Sequence, residues 1–123
     1  MNYDVVICGS GIAGIYTALN ISSDLKIAII TNDKLENCNT YLAQGGITTV
    51  RNMEDRESFI EDTLYAGGNE NNLETVRLIA DEADKNIKKL ISMGVPFNRD
   101  AEGNLLYTRE AAHSRRRILY AND

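Results

Sequence analysis

Three glycines near the N-terminus have the spacing of a phosphate-binding turn. Residues 3–8 form an apolar run of strand length, and Gly9, Gly11 and Gly14 follow it in the order Gly-x-Gly-x-x-Gly. In such turns the first glycine allows a tight bend, the second leaves room for a pyrophosphate and the third lets the next helix pack against the strand. The N-terminus of that helix attracts phosphate. Strand, glycines and helix together predict a dinucleotide site, whereas the glycines alone would also fit a turn without a ligand.

The elements around this turn predict the start of an α/β fold. Apolar residues recur at helical spacing over residues 12–21, and a second apolar run of strand length covers residues 26–30. A strand, a helix and a second strand in this order form a parallel unit with a right-handed crossover. We therefore predict a Rossmann-like arrangement in which the glycine turn joins the first strand to the first helix.

The pattern changes after the second strand. A capping box formed by Asn71 and Glu74 is predicted to begin the longest helix, and Gly94 suits its C-terminal end. The apolar stripe of this helix predicts packing in a core. The predicted elements are irregular structure over 31–46, a β-prone run over 47–50, helices over 56–66 and 73–93, a turn over 100–104 and a short strand over 105–107.

Two parallel strands are too few for an open α/β sheet. Dinucleotide folds contain about five or six strands, and helices cover both faces of the sheet. The chain ends at Asp123 without a closing strand, a helix stop or a polar tail. We therefore expect residues 1–123 to be the N-terminal piece of a longer protein. A complete small domain with additional strands is the competing interpretation.

Composition excludes several classes of protein. The net charge of −5 argues against non-specific nucleic-acid binding, and no apolar run approaches the length of about 18 residues that a membrane span needs. Cys8 and Cys38 are too few for a disulfide framework or a metal cluster. We expect a cytoplasmic protein with reduced thiols and no metal. Although the net charge of the chain is negative, one segment is basic. It contains Arg109, His113 and Arg115–Arg117.

The residues after the second strand leave the identity of the dinucleotide open. NAD-binding units usually carry an acidic residue about 20 positions beyond the glycines, where it binds the ribose. Asp33 lies near that position, but Thr31 and Asn32 directly follow the strand. Counting alone therefore does not exclude NAD.

The segment from Asn39 to Ile47 resembles a motif of the fumarate reductase/succinate dehydrogenase flavoprotein superfamily, and so do residues 61–67, 94–97 and 106–119. The resemblance implies that residues 1–123 are the N-terminal portion of an FAD-binding domain, without the family's capping domain and C-terminal helical domain. In that family the segment surrounds the flavin. The implied FAD-binding residues are Gly9, Ser10, Gly11, Ile12, Ala13, Gly14, Thr31, Asn32, Asn39, Thr40, Tyr41, Leu42, Ala43, Gln44, Gly45 and Gly46.

Two positions differ from many members of the superfamily, and they indicate which branch the chain resembles. Many members have glutamate after the second strand, whereas this chain has Thr31, which is similar to the branch that oxidises L-aspartate. Thr31 can still bind a ribose, without the help of a charge. Succinate dehydrogenases attach FAD to a histidine at the position of Asn39. Asn39 has no nucleophilic ring nitrogen, so we expect non-covalent FAD.

The resemblance implies oxidation of L-aspartate to iminoaspartate as the first step of de novo NAD biosynthesis. A hydride leaves Cα for flavin N5, and O2 or fumarate then reoxidises the flavin. Glu110 matches the family glutamate in Thr-Arg-Glu-x-x-His, and its carboxylate would orient the substrate by meeting the α-ammonium group. Surface pairing of Glu110 with Arg109 or Arg115 is the alternative. His113 is expected to support the site near the flavin, although a lone histidine is more often structural.

Other interpretations remain open at this point. A soluble fumarate reductase-type flavoprotein would share the fold, and Glu110 argues against it. A non-catalytic nucleotide-binding module that binds NAD or ADP-ribose is kept open by Asp33. The family's proton-transferring arginine lies in the capping domain, so we expect residues 1–123 alone to be inactive. Because half of the flavin pocket would be missing, we also expect them to bind no ligand in isolation. The resemblance also implies quinolinate synthase as the enzyme that uses iminoaspartate.

The basic residues Arg115, Arg116 and Arg117 would be a solvated face or an inter-domain ion-pair cluster.

Overall fold

The computed structural model describes residues 2–121, which form two compact units divided between Gln44 and Gly45. The end of the chain at Asn122 and Asp123, on which the expectation of a longer protein partly depends, lies outside the described residues. Within residues 2–121, no helix has both the length and the apolar composition needed to cross a membrane.

The first unit contains the predicted β-α-β start. Its two strands are parallel and in register from Val5 opposite Ile27 to Cys8 opposite Ile30. This confirms the predicted order of strand, helix and strand. The elements of this unit are β1 (Val5–Cys8), α1 (Ile12–Asn20), β2 (Ile27–Ile30) and the single-turn helix α2 (Asn39–Leu42). The segment predicted to be irregular therefore contains one helical turn.

Two glycines shape the connection between β1 and α1. Gly9 has a φ of +108°, and its N–H donates to the carbonyl of Ile30 over 2.8 Å, which extends the parallel ladder into the turn. A Cβ on Gly14 would lie 2.2 Å from the carbonyl oxygen of Gly9 and 3.3 Å from Cγ2 of Ile7. The structure thus confirms that Gly14 allows the helix to approach the strand closely.

Only one face of the β1–β2 pair is covered within the first unit. Helix α1 lies on the face that carries Ile7. On the opposite face, Val6 and Ile30 are 52% and 55% exposed. Both apolar strands are therefore only partly covered within this unit, because one helix can cover only one face of a sheet.

The second unit packs two helices beside a short antiparallel pair of strands. Its elements are β3 (Ile47–Thr48), α3 (Met53–Ala66), α4 (Leu73–Ser92) and β4 (Ile118–Leu119). Strands β3 and β4 pair Ile47 with Leu119 and Thr48 with Ile118. One apolar cluster joins the two helices, and a second packs α4 against β4. The buried members are Phe59, Ile60, Val76 and Ala80 in the first cluster and Ile87, Phe97 and Leu119 in the second.

Asparagine caps set the starts of both long helices. The side chain of Asn52 accepts from the N–H of Asp55 over 2.9 Å, so α3 begins three residues before the predicted start. In α4 the capping residue is Asn72, whose side chain accepts from the N–H of Thr75 over 2.9 Å. The predicted capping box of Asn71 and Glu74 is therefore wrong by one residue.

The C-terminal part of the second unit is less regular than predicted. Gly94 has a φ of +94° and ends α4 as expected. Leu105 forms only an isolated bridge to Arg99, and Thr108 forms another to Ile118, in place of the predicted strand over 105–107. Strand β4 was not predicted, because a two-residue strand depends on the partners that tertiary packing brings to it.

We expect Gly14→Ala to destabilise the FAD-free full-length protein by about 1–3 kcal/mol, because the new methyl group would overlap the Gly9 carbonyl. Thermal unfolding followed by circular dichroism would measure the loss. Gly11→Ala is the matched control, since its Cβ would lie at an ordinary 3.5 Å from Oγ1 of Thr40. Equal unfolding temperatures for the two variants would contradict the assigned role of Gly14.

Candidate functional site

The N-terminus of α1 offers backbone donors in the first unit. The N–H of Ile12 donates to Oγ1 of Thr40 over 3.1 Å, which ties α2 to the start of α1. Within residues 2–121, the N–H groups of Ala13 and Gly14 have no hydrogen-bond acceptor. A helix start of this kind combines free donors with the positive end of the helix dipole. It is suited to binding a phosphate group.

Side chains at the end of β2 are tied to the glycine turn. The buried Ser10 hydroxyl donates to Oγ1 of Thr31 over 3.4 Å, and the Cys38 thiol donates to the carbonyl of Ser10 over 3.6 Å. Because Thr31 accepts this hydrogen bond, its own hydroxyl hydrogen is still available to a ligand. Ser10 and Thr31, two of the predicted cofactor residues, are thus brought together, and the exposed Asn32 follows them.

Asp33 is engaged in its own loop. One carboxylate oxygen accepts from the N–H of Lys34 over 2.7 Å, and the other accepts from Nδ2 of Asn37 over 2.8 Å. The hydrogen bonds from Asn37 and Lys34 lower the pKa of Asp33 below its ordinary value. Each oxygen keeps a second lone pair, so these hydrogen bonds hold the carboxylate in its loop without excluding a ribose.

The predicted flavin segment is split between the two units. In the first unit, Tyr41 and Leu42 are 68% and 69% exposed on α2, and Ala43 and Gln44 are also exposed. Asn39 lies at the start of the same helical turn. Exposed aromatic and aliphatic side chains of this kind provide apolar surface that a planar ligand can cover.

Gly45 and Gly46 have different surroundings in the second unit. A Cβ on Gly45 would lie 3.7 and 3.9 Å from the two carboxylate oxygens of Glu110, and Gly45 has a φ of +114°. A Cβ on Gly46 would lie 2.3 Å from both the Leu119 carbonyl oxygen and Cγ2 of Ile118. Packing against β4 therefore already requires glycine at position 46, whereas Gly45 lies beside the predicted substrate carboxylate.

The Glu110 carboxylate is exposed and free. Within residues 2–121 it forms neither a hydrogen bond nor an ion pair, so the alternative of surface pairing with Arg109 or Arg115 is not realised. Glu110 lines a cavity of about 350 Å³ that Arg116 also lines. A free carboxylate in such a position can meet a cationic group on a ligand.

A tight turn carries Glu110. The N–H of His113 donates to the carbonyl of Glu110 over 3.2 Å, and Ala112, between them, has a φ of +72°. A non-glycine residue in this left-handed region costs on the order of 1 kcal/mol. Contacts outside the turn must therefore maintain its shape.

His113 forms two of those contacts. Its Nδ1 lies 3.3 Å from Nη1 of Arg117, and its Nε2 lies 3.2 Å from Oγ1 of Thr48 on β3. Because a guanidinium nitrogen can only donate, Nδ1 must accept, and we assign the ring hydrogen to Nε2, from which it reaches Thr48. His113 therefore joins the turn to β3, which is the structural role that a lone histidine often has. Its predicted support of a flavin stays a prediction.

Arg117 is the residue whose role the sequence did not indicate. Its side chain is 0% exposed, and its Nε donates to Oδ1 of Asp55 over 2.9 Å, while Nη2 lies 2.8 Å from the same oxygen as an ion-pair contact. Its Nη1 donates to Oδ2 of Asp62 over 2.6 Å. Its Nη2 also donates to Ser58 over 2.8 Å. Arg117 thus differs from the exposed Arg115 and Arg116, and the three are not one solvated face. The spacing of Asp55, Ser58 and Asp62 on one side of α3 is the signal that could have indicated a buried partner.

Asp62 connects this ion pair to the loop that follows Glu110. Its Oδ2 accepts from both the backbone N–H and the hydroxyl of Ser114, over 2.7 and 2.8 Å. Burial raises the pKa of the Asp62 carboxyl, but the hydrogen bonds from Ser114 and Arg117 outweigh burial and hold the pKa below its ordinary value of 3.8. Asp62 is therefore a charged anchor for the loop.

The two units supply complementary chemistry. The first offers backbone donors and hydroxyl groups for phosphate and ribose, and the second offers a free carboxylate beside an open glycine. Between residues 2 and 121, no three His, Cys, Asp or Glu side chains are arranged to hold a metal ion. The described residues fit a dinucleotide with a phosphate group and a ligand with a cationic group.

Comparison with known proteins relates this chain to flavoproteins. A family described as FAD binding domain matches residues 4–123. An L-aspartate oxidase of Clostridium acetobutylicum is 47% identical over 120 residues, which are 98% of this chain and 28% of that protein. A chloroplastic L-aspartate oxidase of Arabidopsis thaliana is 39% identical over 122 residues, which are 98% of this chain and 19% of that protein.

Solved structures show the same fold. The Mycobacterium smegmatis Sdh1 complex in the apo form has a TM-score of 0.86 and 27% identity, and the match covers 98% of this chain and 21% of that one. An E. coli quinol fumarate reductase also has a TM-score of 0.86, with 22% identity and coverage of 98% and 21%. The chain thus spans 19% to 28% of the length of these relatives.

The lowered pKa of Asp62 predicts a dependence of stability on acid. The folded pKa lies below the unfolded one, so the stability that Asp62 contributes is fully present above about pH 4 and is lost as the pH falls through the folded value. We expect Asp62→Asn to reduce the difference between the urea unfolding midpoints at pH 6 and pH 3. Ser114→Ala, which removes one donor, should reduce that difference less. An unchanged difference in Asp62→Asn would contradict this role of the carboxylate.

Proposed function

Because this chain belongs to the FAD binding domain family, we propose that it is part of an FAD-dependent L-aspartate oxidase. The full-length protein would convert L-aspartate into iminoaspartate. The observation that carries the proposal is the free carboxylate of Glu110 beside Gly45, which is suited to the α-ammonium group of an amino acid. The identities of 47% and 39% to two proteins named L-aspartate oxidase support the same reaction.

FAD is the cofactor of this family, and the residues of the first unit fit it. The free N–H groups of Ala13 and Gly14 and the hydroxyl of Thr40 would hold its pyrophosphate. The hydroxyl of Thr31 would meet the adenosine ribose, with Ser10 holding Thr31 in place. Gly9, Gly11, Ile12 and Asn32 complete the proposed adenosine side. Asn39, Tyr41, Leu42, Ala43, Gln44, Gly45 and Gly46 are proposed to surround the flavin.

Glu110 would orient the substrate by charge. L-aspartate carries an α-ammonium group that succinate and fumarate lack, so a free carboxylate favours the amino acid over the dicarboxylic acids. The strained turn at Ala112 and the contacts of His113 hold this carboxylate in place. Bound FAD supplies the two-electron chemistry by accepting a hydride from Cα of the substrate. Binding and orientation of the substrate are the contribution of the residues in this chain.

Several further features belong to the proposal. We expect O2 or fumarate to reoxidise the enzyme and quinolinate synthase to consume iminoaspartate, within NAD biosynthesis. The groups that move the substrate proton and bind its carboxylates would lie in the rest of a longer protein, whose relatives are more than three times the length of this chain. The free cysteines Cys8 and Cys38 are compatible with a cytoplasmic location.

A fumarate reductase-type flavoprotein is the second candidate, because a solved fumarate reductase shares the fold. A dicarboxylate without an ammonium group gives Glu110 no partner, which favours the amino-acid substrate. The match to the FAD binding domain family disfavours a non-catalytic NAD module. An FAD absorption spectrum of the purified full-length protein separates this module from both enzymes.

We expect FAD to leave the full-length protein on denaturation. Asn39 has no ring nitrogen that could form a covalent bond to the flavin. After heating and centrifugation, the yellow absorbance of the flavin should be in the supernatant. Flavin that stays with the precipitated polypeptide after washing in denaturant would contradict non-covalent binding.

We expect Glu110→Gln to lower kcat/KM for L-aspartate oxidation by about 10–100-fold, because the charge-assisted contact to the substrate ammonium group is lost. Fumarate reduction by the reduced enzyme should change much less, since fumarate has no ammonium group. Glu61→Gln is the matched control, because it neutralises an exposed carboxylate on α3 in the same unit. Equal losses of both activities in Glu110→Gln would rule out an orienting role for Glu110.

A further inference from the structure

We propose, as an extension of the proposed function, that Asp62 is a positioning residue that holds Glu110 at the substrate through the turn from Glu110 to Ser114. Asp62 lies on α3, and its Oδ2 accepts from the N–H and hydroxyl of Ser114 and from Nη1 of Arg117. Its side chain is 16% exposed. Three donors on one oxygen of this half-buried side chain anchor the end of the turn.

The turn depends on such an anchor. Glu110, Ala111 and Ala112 are exposed, and Ala112 has a φ of +72°. Neither their burial nor their backbone preference stabilises the observed shape. The contacts that oppose relaxation are those of His113 with Thr48 and Arg117, and those of Ser114 with Asp62 and Ser58.

Asp62 is the member of this network that can be tested without removing the whole cluster. Arg117 has a second carboxylate partner in Asp55, which accepts from Nε and forms an ion pair with Nη2. Loss of Asp62 therefore leaves the guanidinium paired, whereas loss of Arg117 would leave two carboxylates without their cation. In Asp62→Asn we expect the fold to persist and the turn to loosen.

The experiment uses the full-length FAD-loaded protein and its Asp62→Asn variant. Amide hydrogen exchange of the peptide covering 110–114 should accelerate by about tenfold or more, because Ser114 loses its charge-assisted acceptor. The kcat for L-aspartate oxidation should fall by about tenfold, again from the loss of one charge-assisted hydrogen bond. Fumarate reduction should fall much less, since it does not need Glu110.

A double-mutant cycle with Glu110→Gln separates positioning from general stability. If Asp62 acts through Glu110, Asp62→Asn should cause no further loss of L-aspartate oxidation once Glu110 is replaced. Additive losses, or unchanged exchange in 110–114, would overturn the proposal. Asp100→Asn is the matched control, because Asp100 accepts from a backbone N–H in another loop over 2.7 Å. It should accelerate exchange near 100–104 and leave L-aspartate oxidation unchanged.

A second variant covers the case in which Asp62→Asn does not fold. Ser114 is exposed, so Ser114→Ala should retain FAD and still lose L-aspartate oxidation by a few-fold, about the effect of one neutral hydrogen bond. Wild-type activity in Ser114→Ala would then overturn the proposal.

If Glu110→Gln impairs L-aspartate oxidation and Asp62→Asn folds without impairing it, only the positioning role fails. If the wild-type protein binds FAD but does not oxidise L-aspartate, the proposed function fails, and the positioning role fails with it.

Discussion

The buried guanidinium of Arg117 constrains the whole second unit. A charge with no solvent exposure must be paired and hydrogen-bonded, because an unpaired charge in the interior costs several kcal/mol. Asp55, Ser58 and Asp62 meet this requirement from one side of α3. Arg117 directly precedes β4, so the same interaction fixes where the two-residue strand β4 lies beside α3.

This interaction explains why an exposed and strained turn has a defined shape. The Glu110 side chain takes no part in holding the turn. Neighbouring residues make the contacts that hold it, which leaves the Glu110 carboxylate without an ion pair among the described residues. His113 and Ser114 connect the turn to Arg117 and Asp62, and the carboxylate of Glu110 is left unpaired within residues 2–121. Stability and availability to a ligand thus belong to different acidic residues. Asp55 and Asp62 neutralise a buried cation, while Glu110 remains available to a ligand.

The first unit was predicted well from local sequence patterns. The second unit was predicted less well, because its structure depends on contacts between residues far apart in the sequence. The strands, α1 and the role of Gly14 follow from hydrophobic spacing and from close approach within a few residues of chain. Arg117 pairs with Asp55, which lies far from it in the sequence. The sequence alone therefore did not distinguish the buried Arg117 from the exposed arginines beside it. Gly46 shows the same limit, since its contact with Leu119 could not be inferred from its own neighbourhood. The free state of Glu110 also required the structure, because the sequence allowed Arg109 or Arg115 as a partner.

The hydrogen bond between Thr40 and the N–H of Ile12 has a consequence for the energetics of ligand binding. It holds α2 against the start of α1 before any cofactor arrives. A segment that is already ordered loses less conformational entropy when it closes on a ligand. Preorganisation of this kind should favour tight binding of a ligand through slow dissociation.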